Sequence, residues 1–282
     1  MDDLLLSVCL ITYNHEKYIE QAIEGVLMQK TDFKFELIIA DDCSTDRTQE
    51  ILKSYKNKYP AHITLILQNI NKGPAQNWLD LITAPKSKYI AYFEGDDYWT
   101  DPLKLQKQVD FLETNEEFNI CFHRANLLME DGTLSLHPIP QISKGGEFKY
   151  ADLIKHYNFI TTASVLFRKP DNFFFPKWFA EIPFGDMGLY FLVSRGKKIK
   201  CLNEIMSVYR IHSQGIFQSN SILQRKMQHL QFYKIIHSSL TIEEQEISTL
   251  KIREYIQEIA SLKFSQSRFM QFIYKHYLSI SK

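Results

Sequence analysis

The sequence predicts an α/β fold in which a mostly parallel central sheet is flanked by helices. Through residue 118, apolar segments of strand length alternate with segments whose apolar residues recur at helical spacing. This alternation is typical of parallel sheets that carry helices on both faces. Polar clusters directly follow three of the apolar segments, and such sheets bind ligands at the carboxyl ends of their strands. We therefore expect the functional site along that edge.

The individual elements of this first half are defined by short apolar runs and by turn residues between them. Each run is too short for a helix and is rich in β-branched or aromatic residues, so we expect strands over residues 4–12, 35–40, 63–67 and 89–93. Helical spacing predicts helices over residues 16–29, 47–59, 75–82 and 102–115. Ser44 or Thr45 is expected to cap the second helix.

The second half is less regular, and no linker separates it from the first. We expect strands over residues 120–122, 162–168, 198–202 and 206–210, and helices over residues 151–156 and 187–195. From residue 221 the chain is helical and polar. The predicted domains are residues 1–220, with a first half to about 118 and a second half from about 119, and a helical extension over 221–282.

The composition is that of a globular protein without charge bias. Of 282 residues, 45% are hydrophobic, and 33 basic residues balance 33 acidic ones. Nucleic acid is therefore not an expected partner, because a general binder carries a basic excess. The four cysteines form no CxxC pair, which fits a reducing, cytoplasmic setting. The start lacks the basic residues of a signal peptide, and no apolar run approaches the ~18 residues of a membrane span.

The most informative segment is the one that ends the fourth predicted strand. The apolar run over 89–93 leads into Glu94, Gly95, Asp96 and Asp97. Adjacent carboxylates repel and raise one another's pKa unless a positive charge intervenes. Carboxylates are the ligands that Mg²⁺ and Mn²⁺ prefer, usually together with substrate phosphates. The alternative is a solvated turn that caps the next helix.

Taken together, six segments resemble the family 2 glycosyltransferases, inverting enzymes of the GT-A fold. The matching segments are residues 7–14, residues 36–46 with Cys43 where glycine is usual, residues 71–73, residues 94–97 with Glu94 in place of the leading Asp, residues 185–186, and residues 209–212. The resemblance implies a GT-A domain over about residues 6–218. It does not extend to the C-terminal helices.

The resemblance implies a role for each matching residue. Asp97 and His212 would hold Mg²⁺ or Mn²⁺, and Asp96 would bind the ribose or assist at the metal. Asp186 would be the general base, although Asp is also a common helix cap. Other histidines, including His15, show no ligand spacing and are expected to be structural. The remaining nucleotide-binding residues would be Thr12, Tyr13, Asn14, Asp41, Asp42 and Lys72.

The predicted function is transfer of a sugar from a nucleotide-diphosphate donor, with UDP the expected nucleotide, to a glycan or lipid-linked acceptor of surface polysaccharide synthesis. One alternative is a nucleotidyltransferase, but the first turn lacks the glycine-rich basic loop of that class. Another is a non-catalytic nucleotide-binding module. Residues 263–282 contain no acid and interleave bases with aromatics, a pattern that favours peripheral contact with an anionic membrane surface, or simply a packed helix.

Overall fold

A computed structural model describes residues 4–140, 144–171, 173–213, 215 and 220–266 of the chain. The described α-helices are α1 (Ile19–Leu27), α2 (Thr48–Lys58), α3 (Pro74–Thr83), α4 (Lys104–Thr114), α5 (Tyr150–His156), α6 (Gly185–Ser194), α7 (Ile222–Ile236) and α8 (Ile242–Gln266). The described strands are β1 (Leu6–Thr12), β2 (Phe35–Asp41), β3 (Ile63–Leu67), β4 (Tyr89–Glu94), β5 (Tyr98–Trp99), β6 (Phe118–Met129), β7 (Leu134–Leu136), β8 (Glu147–Lys149), β9 (Leu166–Arg168) and β10 (Lys198–Ile211).

The strands form one large mixed sheet, and the predicted α/β class is confirmed. Its order is β3-β2-β1-β4-β9-β6-β10-β5, with β7 on β6 and β8 on β10. The pairs among β3, β2, β1 and β4 are parallel, as the alternation of strands and helices predicted. Strand β9 runs antiparallel to both of its neighbours, β4 and β6. The ends of β1, β2 and β4 consequently share one edge of the sheet.

Burial explains why these strands read as continuous apolar runs. In β1 and β4, Leu6, Leu10, Tyr89 and Phe93 are fully buried. Helix α1 contributes Ile19 and further apolar side chains to the same core. A strand covered on both faces has no solvent side and therefore shows no alternation of polar and apolar residues.

The second half contains two strands that were not expected, β7 and β8, and differs from the prediction in two further segments. Residues 198–211 form the single strand β10, because a register irregularity near Leu202 and Ile205 lets it bend and continue along β6. The expected strand over residues 162–168 is a 3₁₀ turn over Thr162–Ser164 followed by the short strand β9. Such irregularities depend on partner strands and leave no local sequence signal.

The chain divides into two compact units. The first consists of Met1–Phe174 and Gly185–Ile211, and the second of Phe175–Phe184 and His212–Lys282. Within the second unit, α7 packs on α8 through the rings of His229, Tyr233 and Tyr255. Among the described residues, each helix is too short or too polar to cross a bilayer.

Candidate active site

Strand β4 delivers three carboxylates to one point. Glu94 ends the strand, Asp96 and Asp97 follow in the turn, and one oxygen of each lies within 4.8 Å of the others. Asp96 is 8% exposed and Asp97 is 1% exposed. Three carboxylates so close and so little hydrated form an unfavourable arrangement unless a cation or protons offset the charge.

The side chain of Asp97 is the most constrained of the three. Its Oδ1 accepts a hydrogen bond from the main-chain N–H of Arg210 at 2.8 Å. Its Oδ2 is buried and has no hydrogen-bond partner within the described parts of the chain. Burial, followed by the charges of Asp96 and Glu94, raises the pKa of Asp97 well above its usual value. A buried carboxylate oxygen that accepts no hydrogen bond within an acidic cluster is suited to bind a hard divalent cation.

Arg210 links the acidic turn to helix α1, a role that was not predicted from the sequence. Its guanidinium donates to the main-chain carbonyl of Asp96 and to the side-chain oxygen of Gln21. The same group lies 4.4 Å from the ring centroid of Tyr98 and 5.0 Å from that of Tyr18. Strand β10 pairs with β5 just after the acidic turn, which brings Arg210 here.

The end of β1 packs against the acidic turn. Thr12 Oγ1 lies 3.2 Å from His15 Nδ1, and His15 Nε2 lies 3.9 Å from a carboxylate oxygen of Asp96. A Cβ on Gly95 would lie 2.9 Å from Thr12 Oγ1 and 3.0 Å from His15 Nδ1. Glycine is therefore needed for this close approach. His15, which was expected to be structural, lies beside the acidic cluster.

The two aspartates that follow β2 are fixed by different partners. Both oxygens of Asp41 are occupied, since they accept from Ser44 and from Gln49 Nε2 at 2.7 Å. Asp42 Oδ1 accepts the main-chain N–H of Lys72 at 2.7 Å and so links the ends of β2 and β3. The Lys72 ammonium forms a 2.8 Å ion pair with Asp80, which it would have to leave to reach a phosphate.

The turn after β1 interlocks with the turn after β2. Asn14 Oδ1 accepts the main-chain N–H of Thr45 at 2.8 Å, and Asn14 N–H donates to Ser44 Oγ at 2.8 Å. The side chain of Tyr13 is 41% exposed, so its ring is available to a ligand. Ser44 and Thr45 do not cap α2 as expected; Asp46 accepts the Thr48 N–H at 2.9 Å instead.

Asp186 lies in the first turn of α6 and faces the same region. Asn158 Nδ2 donates to its Oδ2 at 2.7 Å. Burial raises the pKa of Asp186, while the hydrogen bonds from Met187 N–H and Asn158 lower it. Burial, followed by the negative charges of Asp96 and Asp186, raises the pKa of Glu94. The predicted base is therefore within electrostatic reach of the acidic cluster.

Comparison with protein families decides what kind of protein carries this arrangement. The model of glycosyl transferase family 2 matches residues 7–175, which include the acidic turn and the ends of β1, β2 and β3. The chain belongs to this family.

Related proteins agree with that membership. An uncharacterized Mycobacterium bovis protein is 39% identical over 225 residues, which are 78% of this chain and 63% of its own length. The chain thus spans less than two thirds of that relative. An Escherichia coli protein named UDP-Glc:α-D-GlcNAc-diphosphoundecaprenol β-1,3-glucosyltransferase WfaP is 30% identical over 219 residues, 75% of this chain and 79% of its own.

Solved structures confirm the GT-A type of fold. The structure of Staphylococcus aureus TarS residues 1–349 in complex with UDP-GlcNAc superposes with a TM-score of 0.63 at 19% identity, covering 90% of this chain and 72% of that one. At such low identity the likeness concerns the fold alone.

This member of glycosyl transferase family 2 differs from the expected motifs at Cys43 and Glu94. Cys43, where glycine is usual, has φ 60, a left-handed conformation in which glycine has no steric cost. Glu94, in place of the leading Asp, still reaches the acidic cluster. His212 follows β10, is 7% exposed, and begins the second unit, so its predicted metal contact stays a prediction.

Proposed function

We propose that the chain is an inverting, metal-dependent glycosyltransferase that moves a hexosyl group from a UDP-sugar to a hydroxyl of a glycan or lipid-linked acceptor in surface polysaccharide synthesis. The observation that carries the proposal is the acidic turn at the end of β4 with a further buried acid, Asp186, in electrostatic reach of it. The name of the Escherichia coli relative, with its UDP-Glc donor and diphosphoundecaprenol acceptor, supports this donor and acceptor class.

The donor side consists of residues at the ends of β1 to β4. Asp97 and His212 would hold Mg²⁺ or Mn²⁺, which when bound supplies Lewis-acid stabilisation to the departing diphosphate. Tyr13 stacks on the base through its exposed face. Asp42, whose second oxygen is not used by Lys72, accepts the imino N–H of the base. The remaining donor contacts are assigned to Thr12, Asn14, Lys72 and Asp96, and to Asp41, which would have to release Ser44 or Gln49 to bind the nucleotide.

The reaction is a single in-line displacement. Asp186 accepts the proton of the acceptor hydroxyl as the hydroxyl oxygen forms a bond to C1 of the sugar. The bond between C1 and the phosphate oxygen breaks on the opposite side, and the nucleoside diphosphate leaves with the electron pair. The product therefore has the anomeric configuration opposite to that of the donor.

The decisive experiment removes the base and the metal site separately. Asp186→Asn is expected to lower kcat by about 10²- to 10⁴-fold while Mn²⁺-dependent UDP binding, measured by calorimetry, stays unchanged. Asp97→Asn is expected to lose that binding. Wild-type transfer by Asp186→Asn, together with indifference to chelation, would refute the proposal. UDP binding without turnover of any UDP-sugar would indicate the non-catalytic module instead.

Different parts of the chain would bind the donor, the acceptor and a membrane. Residues to about 118 bind the donor, residues from about 119 to 220 bind the acceptor, and the C-terminal extension over 221–282 contacts the cytoplasmic face of a membrane. Most of the basic, aromatic stretch over 263–282 lies outside the described residues. Flotation with anionic liposomes tests the membrane contact, and a protein that stays at the bottom of the gradient contradicts it.

A further inference from the structure

The carboxylate of Asp186 accepts hydrogen bonds from the main-chain N–H of Met187 in its own helix and from one neutral side chain in a separate part of the fold. Asn158 lies in the segment between α5 and the 3₁₀ turn at Thr162–Ser164, and its Nδ2 donates to Asp186 Oδ2 at 2.7 Å. Tyr157, the residue before it, has φ 60, a conformation that is uncommon for a large side chain. The backbone thus turns sharply where it presents Asn158.

The orientation of the Asn158 amide is fixed by a second hydrogen bond. Its Oδ1 accepts the main-chain N–H of Ile160 at 3.2 Å. A flipped amide would place a donor against that N–H and an oxygen against the Asp186 carboxylate, which is unfavourable on both sides. Nδ2 is therefore the end that faces Asp186. A neutral donor holds the carboxylate without competing for the proton that a base must accept.

We propose that Asn158 is a positioning residue that fixes the plane of the Asp186 carboxylate, so that Oδ1 is the oxygen presented to the acceptor hydroxyl. The inference deepens the proposed function and rests on it. With Oδ2 engaged by Asn158, rotation of the carboxylate breaks a charge-assisted hydrogen bond. General-base catalysis depends on such placement, because the base must lie within hydrogen-bond reach of the proton it removes.

Among the described groups that interact electrostatically with Asp186, none is a cation that could hold the carboxylate in place of Asn158. Tyr92 and Glu94 face it from β4, Tyr190 from its own helix, and Tyr209 from β10. These groups are neutral or acidic. Burial raises the pKa of Asp186 and the Asn158 hydrogen bond lowers it. Loss of that bond therefore moves the acid limb of the pH–rate profile to higher pH.

The test compares Asn158→Ala and Asn158→Asp with the wild-type chain, using UDP-sugar transfer across a range of pH. Asn158→Ala is expected to lower kcat by about 10- to 100-fold, with KM for the donor unchanged, and to shift the acid limb upward by about one pH unit. The isosteric Asn158→Asp places a second carboxyl against the first and is expected to shift the limb further.

Asn119 supplies a matched control. Its Nδ2 donates to the main-chain carbonyl of Val193 at 2.8 Å, so it is a buried Asn that binds the far end of the same helix, α6. Asn119→Ala is expected to lower the melting temperature without moving the pH profile. A role for Asn158 in stability alone predicts the same behaviour for Asn158→Ala.

The outcomes separate this inference from the function on which it rests. An inactive Asp186→Asn together with wild-type kcat and pH profile in the Asn158 variants overturns the positioning role alone. An active Asp186→Asn overturns the proposed base, and the positioning role with it. Should Asn158→Ala not fold, Asn158→Asp, which keeps the shape of the side chain, carries the test, and an unshifted acid limb in that variant overturns the positioning role.

Discussion

Replacing Arg210 with alanine tests whether the acidic turn depends on the strand that pairs beside it. The variant loses the guanidinium hydrogen bonds to the Asp96 carbonyl and to Gln21. It also loses the cation–π contacts with Tyr98 and Tyr18, whose ring centroids lie 4.4 and 5.0 Å from the guanidinium. For a half-buried arginine these interactions together contribute about 2–3 kcal/mol. For a domain of this size we expect the Tm to fall by roughly 4–12 °C.

The functional part of the prediction concerns the metal site. The main-chain N–H of residue 210 still donates to Asp97 in the variant, but the Asp96 carbonyl loses its anchor to α1. Groups that orient metal ligands are typically worth about 10- to 100-fold in metal affinity. We therefore expect the Mn²⁺ affinity, measured by electron paramagnetic resonance, to fall by about that factor in Arg210→Ala.

Arg168 provides a control with the same chemistry elsewhere in the sheet. Its guanidinium donates to the Leu112 carbonyl and lies 5.2 Å from the ring centroid of Tyr89. Arg168→Ala is expected to lower the Tm without changing Mn²⁺ affinity. If both variants lose similar stability and both bind Mn²⁺ like the wild-type protein, Arg210 stabilises the sheet and does not organise the site, and the reasoning is refuted.

Three further predictions concern packing, base stacking and a buried charge. Gly95→Ala is expected to lower the free energy of unfolding by about 1–3 kcal/mol, because the new Cβ would lie 2.9 Å from Thr12 Oγ1. Chemical denaturation measures the loss, and a variant as stable as the wild-type chain would contradict this steric argument. Tyr13→Ala is expected to weaken UDP binding about tenfold, since base stacking contributes ~1–3 kcal/mol; calorimetry measures it, with Tyr13→Phe as the variant that keeps the ring. Burial lowers the pKa of Lys104 from 10.5 to about 7, so at this group the unfolded chain binds more protons in that range, and Lys104 contributes stability that increases with pH between the two values. The slope of stability against pH is therefore expected to be less positive in Lys104→Met than in the wild-type chain when denaturation midpoints are compared, and an identical slope would contradict this contribution.

The fold of the first half was predictable because its signals are local. A strand buried on both faces must be apolar throughout, so residues 89–93 stand out from the amphipathic helices on either side of them. The second half was predicted less well. Strand β10 bends at an irregular register against β6, and β9 is only three residues long. Both features depend on distant partners.

The site was predicted in part for the same reason. Carboxylates at strand ends, such as Asp97 and Asp42, are visible once the strands are recognised. The contacts of Arg210 and Asn158 are not, because they join residues 114 and 28 positions away in the chain. His15 was also missed, since its place beside Asp96 follows from the absence of a side chain at Gly95.

Residue types at short spacings along one chain were enough to establish the α/β class, the run of acids after β4 and the membership of glycosyl transferase family 2. Which oxygen of each acid already accepts a hydrogen bond is known from the folded structure and not from these patterns. Both oxygens of Asp41 accept hydrogen bonds, whereas one oxygen of Asp97 is buried and has no partner within the described parts of the chain. Hydrogen bonds between remote segments are distributed by packing, and the availability of an atom for chemistry is therefore a property of the folded chain.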